Sequence, residues 1–450
     1  MTLINTITIQ PLAGETNKIL LSPQLYESWN LASFPNLTLK CGPVKESVSC
    51  GPNHNRGDPQ LICDPRLLQR FHLPAEPQPL RIAFDPEKEE LQIGPVVAVL
   101  TLLKGNAFEG SLVPYCDELA RYSEKQHALL YVFTLRDWRQ DSVIGYVKRH
   151  NYWDRRELPL PHVIHNRIGQ RRLEQLPATE RFFQRLTEKG ITCFNARFLD
   201  KWEVHKQLAS QPELTPYLPE TALYESKKSL KEMTERHSCI FLKPAAGSQG
   251  KQIFRICRRE NFFELDYTTF NGDIERHFPT FEELYRTVES RIRQQRYIIQ
   301  QGLSLLEYQH CPLDFRMLCN RRKTDKWKVV SGVARISNEE QFVSNLARGG
   351  KSQPIKEVLQ QTFPDRLAKQ IRALLRDLSL EIAEQISLKS EGLYGELGID
   401  LALDQQGKPW VLEVNTKPSK DLDPSRDHTI RPSARAVIDY SCYLAGFSNP

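Results

Sequence analysis

Residues 396–419 read ELGIDLALDQQGKPWVLEVNTKPS, and this stretch limits the possible folds more than any other. Ile399, Leu401 and Leu403 alternate with Asp400, Ala402 and Asp404. A strand here has one apolar face and one face bearing carboxylates. Asp404-Gln405-Gln406-Gly407 supplies turn residues. In the return strand Trp410, Leu412 and Val414 are expected on one face, and Val411, Glu413 and Asn415 on the other. If the two strands pair, Asp400 joins Glu413 and Asn415. Two carboxylates and an amide oxygen on a rigid sheet suit Mg²⁺, a hard ion that takes oxygen ligands and keeps positions open for water and phosphates. An ordinary solvated hairpin has the same pattern, so the rest of the chain has to decide.

At 450 residues the chain is too long for one small core, and two to four domains or subdomains are expected. Its 40% hydrophobic and 26% charged residues describe a soluble globular protein rather than a disordered one. The net charge of +6, from 61 basic and 55 acidic residues, is spread along the chain without a basic block. That argues against a nucleic-acid partner and leaves room for a phosphate or acidic substrate. The first residues have no signal-peptide pattern, and no apolar run reaches membrane-spanning length. The ten cysteines include no C-x-x-C pair, so zinc is not expected, and they are read as reduced, mostly buried thiols.

Residues 1–92 carry short strands such as 18–21, 37–40 and 80–84 among Pro, Gly and Asn, which predicts a small β-rich domain, with a barrel as one form it can take. Strand 95–101, a helix near 114–126 and strand 128–133 then predict a parallel α/β unit over residues 93–197. Strand 159–167 ends in Arg167, placed to meet an anionic substrate at the carboxyl end of an open sheet; an ordinary surface ion pair explains it equally well. His162 and His165 on that strand are read as structural or substrate-lining.

Asp200 caps a helix carrying Lys201. Strand 239–244 carries Lys243 and leads into Ala245-Ala246-Gly247-Ser248-Gln249-Gly250. A glycine loop between strands lets backbone N–H groups approach phosphate oxygens, though a plain hairpin has the same look. Strand 296–303 ends in a short hinge, Gln301-Gly302-Leu303, whose backbone suits an adenine edge. Asp314 and Arg316 share one strand face, and Arg335 lies on the next strand. Asn345 and Arg348 stand in Ser344-Asn345-Leu346-Ala347-Arg348-Gly349-Gly350-Lys351, where a guanidinium fork beside glycines suits a transferring phosphoryl group. After Pro364 a helix with Leu367, Ile371, Leu374, Leu378, Ile382 and Ile386 at helical spacing is expected to turn that stripe to the core.

Each motif alone is weak, but their order between Lys201 and Ser419 resembles an ATP-grasp protein. The nearest resemblance is to the YheC/YheD family of endospore coat-associated proteins, and the C-terminal part also resembles glutathione synthetase and RimK-like ligases. The resemblance implies an α/β and α+β multidomain chain: an ATP-grasp domain at 198–450, with lobes of about 198–300 and 301–450, preceded by an α/β pre-ATP-grasp domain and the β-rich domain. It implies ATP and Mg²⁺ as cofactors. Lys201 and Lys243 would bind phosphates, Gly247, Ser248, Gln249 and Gly250 would close over them, and Gln301, Gly302 and Leu303 would meet adenine. Asp314 would lie near nucleotide or metal. Arg316, Arg335 and Arg348 would face the γ-phosphate or acyl-phosphate, with Asn345 orienting that loop, and Asp400, Glu413 and Asn415 would hold Mg²⁺.

The expected activity is a carboxylate–amine ligase working through an acyl-phosphate on amino acid, peptide or protein carboxylates, in the cytoplasm or with the spore coat and its proteins. The alternative is an ATP-binding coat component without turnover. No membrane partner is expected, and Lys417, Ser419 and Lys420 are placed either toward a substrate carboxylate or on a solvated loop.

Overall fold

Apolar residues two apart build the first layer. Ile7 and Ile9, Leu37 and Leu39, Ile82 and Phe84, and Leu91 and Ile93 are all buried, because every second side chain of a strand points the same way. In the computed structural model, which describes residues 2–11, 17–53, 59–74, 76–103, 108–247, 252–269, 272–292, 295–337, 351–420 and 429–448, these strands close a seven-stranded barrel. Its order is Leu3–Pro11, Gln60–Cys63, Lys18–Leu21, Val44–Pro52, Asn36–Cys41, Glu90–Gly94 and Gln78–Asp85. The strand Glu90–Gly94 runs two residues past the expected boundary at 92.

Val96–Leu100 is apolar along its whole length and buried on both faces, as a central parallel strand must be. It lies between Leu129–Phe133 and Val163–Asn166, both parallel to it, and Thr192–Phe194 continues the parallel run. An antiparallel hairpin, Ser142–Arg149 and Tyr152–Pro159, extends the other edge. The helix Val113–Lys125 packs on this sheet with the last helix of the chain, Pro432–Leu444.

Two further sheets follow. Thr221–Leu223, Tyr297–Gln301, Cys239–Pro244, Phe254–Arg258, Phe263–Thr269 and Gly272–Phe278 form one, in that order. The helices Lys227–Arg236 and Phe281–Ile292 bury Leu230, Met233, Leu284 and Val288 against it. In the last sheet Cys311–Asn320 pairs with Lys328–Ile336 and with Glu396–Leu403, which pairs with Pro409–Asn415. Lys351–Pro354 closes the far edge. The long helix Asp365–Lys389 and the shorter Lys201–Ala209 back that sheet. Asn195 joins it to the parallel sheet: its amide donates to Glu396 O at 2.6 Å, and its Oδ1 accepts from the Gly395 and Glu396 N–H groups at 3.2 Å each. Among the described residues no helix is long and apolar enough to cross a membrane.

Two expectations need correction. In the long helix Ile371, Leu378, Ile382 and Ile386 are buried as expected, but Leu367 and Leu374 stand at the surface and their successors Ala368 and Leu375 are buried instead. Several apolar residues flank the stripe, and which edge of it turns inward is set by the sheet it packs on rather than by the helical repeat. Adjacent antiparallel strands set Cys239 and Cys257 directly opposite each other with Cα atoms 4.1 Å apart, so these two thiols are neighbours rather than scattered. Eight others are free thiols.

Candidate functional site

The helix Lys201–Ala209 begins where Asp200 Oδ1 accepts the Glu203 N–H at 2.7 Å, an N-cap that fixes which face looks inward. Lys201, Val204, His205 and Leu208, spaced three and four apart, line a cleft of about 520 Å³ counting space open to solvent. Lys206 is off that face and exposed. Across the cleft Lys243 and Ile298 are register partners and so share a face with Gln300. The floor is Val411 to Val414 of the return strand.

Four predicted residues meet here, Lys201, Lys243, Gly247 and Glu413. Lys201 Nζ donates to Glu413 Oε1 at 3.0 Å and to the Gly247 carbonyl at 2.8 Å, tying the start of the glycine loop to the acidic hairpin. Lys243 Nζ donates to Gln300 Oε1 at 2.6 Å. Burial and then the neighbouring Lys201 charge lower the Lys243 ammonium to about 8, against the opposing pull of Glu413. This is an ammonium short of counter-charge at the mouth of an apolar cleft, the environment that rewards an incoming phosphate.

The other predicted residues form a lattice on the adjoining strands. Register sets Arg316 opposite Asp400, Arg335 opposite Asp314 and Glu413 opposite Asp400. Arg316 clamps Asp400 with Nε and Nη2, the latter at 2.8 Å. Arg335 bridges both acids, bonding Asp314 through Nε and lying 3.0 Å from Asp400 Oδ2 through Nη2. Asn415 Nδ2 donates to Asp400 Oδ2 at 3.4 Å. Asp314 and Asp400 are buried. Burial pushes the Asp400 carboxyl up, and Arg316 and Arg335 outweigh it, holding the group below the usual carboxylate range. Burial lowers Arg335, and the Asp400 and Asp314 charges overcome that and raise it.

The hairpin departs from simple alternation. A bulge between Asp400/Leu401 and the facing strand pairs Asp400 with Glu413 but Leu401 with Val411. Val411 and Val414 therefore both reach the core, although alternation puts them on opposite faces, and Leu412 lines the cleft with them. One extra residue changes the parity on one side of it, which alternation alone does not reveal. The donor types are the oxygen ligands that Mg²⁺ takes, and both carboxylates are engaged by cations, Asp400 by Arg316 and Arg335 and Glu413 by Lys201. Two carboxylates and an amide lie on one stretch of sheet, and among the described residues no three His, Cys, Asp or Glu side chains gather into a cage. Mg²⁺ held by few carboxylates plus water and phosphate needs no such cage.

At the hinge the Gln301 and Gly302 N–H groups are occupied, donating to Glu220 O and Cys239 O at 2.8 Å each. Gln301 Oε1 accepts from Glu220 N–H at 3.2 Å, so the side chain over the cleft is Gln300, not Gln301. Strand parity with Lys243 carries that signal. Among the described residues the Leu303 N–H has no backbone partner, while its carbonyl accepts the Leu305 N–H at 3.1 Å. Arg171, His205, Leu218 and Pro219 also line the cleft and carry no motif. Ser248, Gln249, Gly250, Asn345 and Arg348 lie outside the described residues.

A family model described as YheC/D like ATP-grasp matches residues 190–444, more than half of the chain. The endospore coat-associated protein YheD of Bacillus subtilis (strain 168) is 27% identical over 377 residues, covering 79% of this chain and 80% of that one. The endospore coat-associated protein YheC of the same organism is 23% identical over 272 residues, covering 60% and 73%. Among solved structures, the VanG D-Ala:D-Ser ligase from Enterococcus faecalis aligns with a TM-score of 0.46 at 11% identity, over 79% of this chain and all of that one.

Proposed function

The chain belongs to the YheC/D-like ATP-grasp family, and from that premise we propose that it is an ATP- and Mg²⁺-dependent ligase joining a carboxylate to an amine, in association with the spore coat. The observation that carries the reading is the meeting of Lys201, Lys243 and Glu413 at one cleft. Lys201 and Lys243 bind phosphate oxygens, Val204, Leu208 and Ile298 give an apolar bed for a base, and Leu303 presents hinge backbone to it. Asp400, Glu413 and Asn415 would hold Mg²⁺, which supplies charge neutralisation at the phosphoryl oxygens.

A substrate carboxylate oxygen bonds to the γ-phosphorus as the bond to the ADP oxygen breaks. An amine nitrogen then bonds to the acyl carbon as phosphate leaves, and the amine proton passes to solvent. Both transition states spread negative charge over oxygen, so Arg316 and Arg335, fixed by Asp314 and Asp400, contribute by position rather than by covalent chemistry. Arg348 and Asn345 are assigned to the same charge, and Gly247 to Gly250 to excluding water from the acyl-phosphate.

A second reading, a coat component that binds ATP without turnover, is favoured by one observation: Asp400 and Glu413 are already ion-paired to Arg316, Arg335 and Lys201. Phosphate release from ATP with Mg²⁺, screened against pools of amino acids and short peptides, separates the two. Acceptor-dependent release that disappears in Glu413→Ala and Lys243→Met is the expected outcome. Tight ATP binding with no acceptor-dependent release is the outcome of the second reading.

A further inference from the structure

A second polar cluster lies beside the hairpin, where the strand Val163–Asn166 ends against residues 416–420. Arg167 Nη2 donates to Pro418 O at 2.8 Å, and its Nη1 lies 3.4 Å from Glu396 Oε2. Lys420 bonds Glu396 Oε1. Lys417 bonds Glu174 Oε1 and donates to Ile168 O at 3.2 Å. The side chains of Arg167, Lys417 and Lys420 are 7%, 2% and 3% exposed, so the solvated-loop alternative fails for both lysines. Among the described residues Arg167, Lys417 and Lys420 face two carboxylates, Glu174 and Glu396, while the neighbouring Arg431 is matched by Glu118, so the described side chains carry one more positive than negative charge.

The cluster also holds orphaned polar atoms. Arg167 Nε, both ring nitrogens of His165 and the Tyr115 hydroxyl have no hydrogen-bond partner among the described residues. His165 is wholly buried, stacked on Phe194, with Nε2 4.0 Å from Glu396 Oε2. Tyr115 is wholly buried under Lys420, whose Nζ sits 4.8 Å from the ring centre. Buried polar atoms are almost always paired, and an unbalanced buried charge is costly. Several orphans around one surplus cation point to an anion that is part of the working complex. Gly169 and Ser419 at the rim are exposed, and a Cβ on Gly169 would meet nothing within 4 Å.

The cluster is continuous with the candidate reaction centre. Glu396, Gly398 and Asp400 lie on one face of one strand, and four residues of strand span about 13 Å. Pro418, whose carbonyl takes Arg167, covers Gly398: a Cβ there would come within 2.8 Å of Pro418 Cβ and 3.5 Å of Arg316 Cδ. We propose that this cluster is a second anion subsite, in which Arg167 recognises a carboxylate carried by the substrate on the order of 10 Å from its reacting carboxylate. That span fits a tripeptide with an acidic first residue and a free C-terminus. Burial lowers the Lys420 ammonium to about 8, a penalty that the incoming carboxylate relieves.

Naming the anion a substrate group rests on the ligase reading, but the subsite itself is tested without turnover. Calorimetry with a non-hydrolysable ATP analogue and Mg²⁺ compares the tripeptides Glu-Ala-Ala and Gln-Ala-Ala, which differ in one charge. The expected result is at least tenfold tighter binding of the glutamate peptide. Arg167→Gln should abolish that preference, Arg167→Lys should keep part of it, and analogue affinity should stay within twofold in both. Equal affinity for the two peptides, no binding of either, or a preference that survives Arg167→Gln overturns the subsite. Absent phosphate release with intact charge preference would instead count against the ligase reading alone.

Discussion

Asp400 takes Arg316 on one side and Arg335 on the other, and Arg335 in turn holds Asp314. Removing one member leaves buried charge without its partner, which costs more than the pair itself contributes. Arg335→Met should lower stability by about 3–5 kcal/mol in urea unfolding without nucleotide; a loss below about 1 kcal/mol would mean that the lattice is solvated. Lys243 gives a pH signature. Its folded value of about 8 lies below the ordinary lysine value, so the free protein sheds this proton as pH rises through 8. Phosphate favours the charged form, so nucleotide affinity should fall above pH 8. At pH 9 binding should take up a proton, seen as a buffer-dependent heat that Lys243→Met lacks. Asp400 and Glu413 are legible as candidates because strand alternation is local, and Lys243 because it ends a strand before a glycine loop, whereas Lys201 follows only from the family resemblance, with Lys206 on the same helix as its rival. The hinge at Gln301 is read from the sequence through its backbone, whereas the Gln300 side chain on the cleft becomes visible only from the pairing of its strand with the Lys243 strand.

Strands and helices were legible wherever apolar periodicity was clean, as in Val96–Leu100 and Asp365–Lys389. What escaped were single-residue offsets: the bulge that brings Val411 and Val414 to the core together and the helix packing that buries Leu375 and leaves Leu374 exposed. Both depend on the partner element, which a linear pattern does not contain. The hinge shows how little room an element end can leave. A Cβ at Gly302 would stand 2.7 Å from Cys239 O and 3.0 Å from its carbonyl carbon, and backbone cannot swing aside as a side chain would. Gly302→Ala should therefore destabilise the protein by about 1–3 kcal/mol and weaken nucleotide binding several-fold by shifting Leu303. Denaturant unfolding and analogue titration check this, and unchanged values in both would place the hinge elsewhere.

Across the whole molecule, the anion cluster draws residues from 115 to 420 and the joint at Asn195 ties strands about 200 positions apart. No spacing rule links Tyr115, His165, Glu174 and Glu396, so the cluster was visible only as isolated candidates such as Arg167. The division at residues 92 and 197 stays a proposal, and one crossing feature bears on it. The helix Pro432–Leu444 buries Ala434, Val437, Ile438 and Tyr440 against the parallel sheet and its helix Val113–Lys125. A chain stopped at residue 431 should lose near-ultraviolet circular dichroism and elute as aggregate, whereas a soluble, cooperatively melting product would show that the sheet closes without that helix. The same feature sets a clock. The helix leaves the ribosome roughly 240 residues after Phe194, which at about 5–20 residues per second is on the order of 10–50 seconds. For that interval the finished strands of the parallel sheet have one apolar side covered by Val113–Lys125 alone, so a nascent chain of this design depends on chaperone shelter or on slow docking of a late arrival.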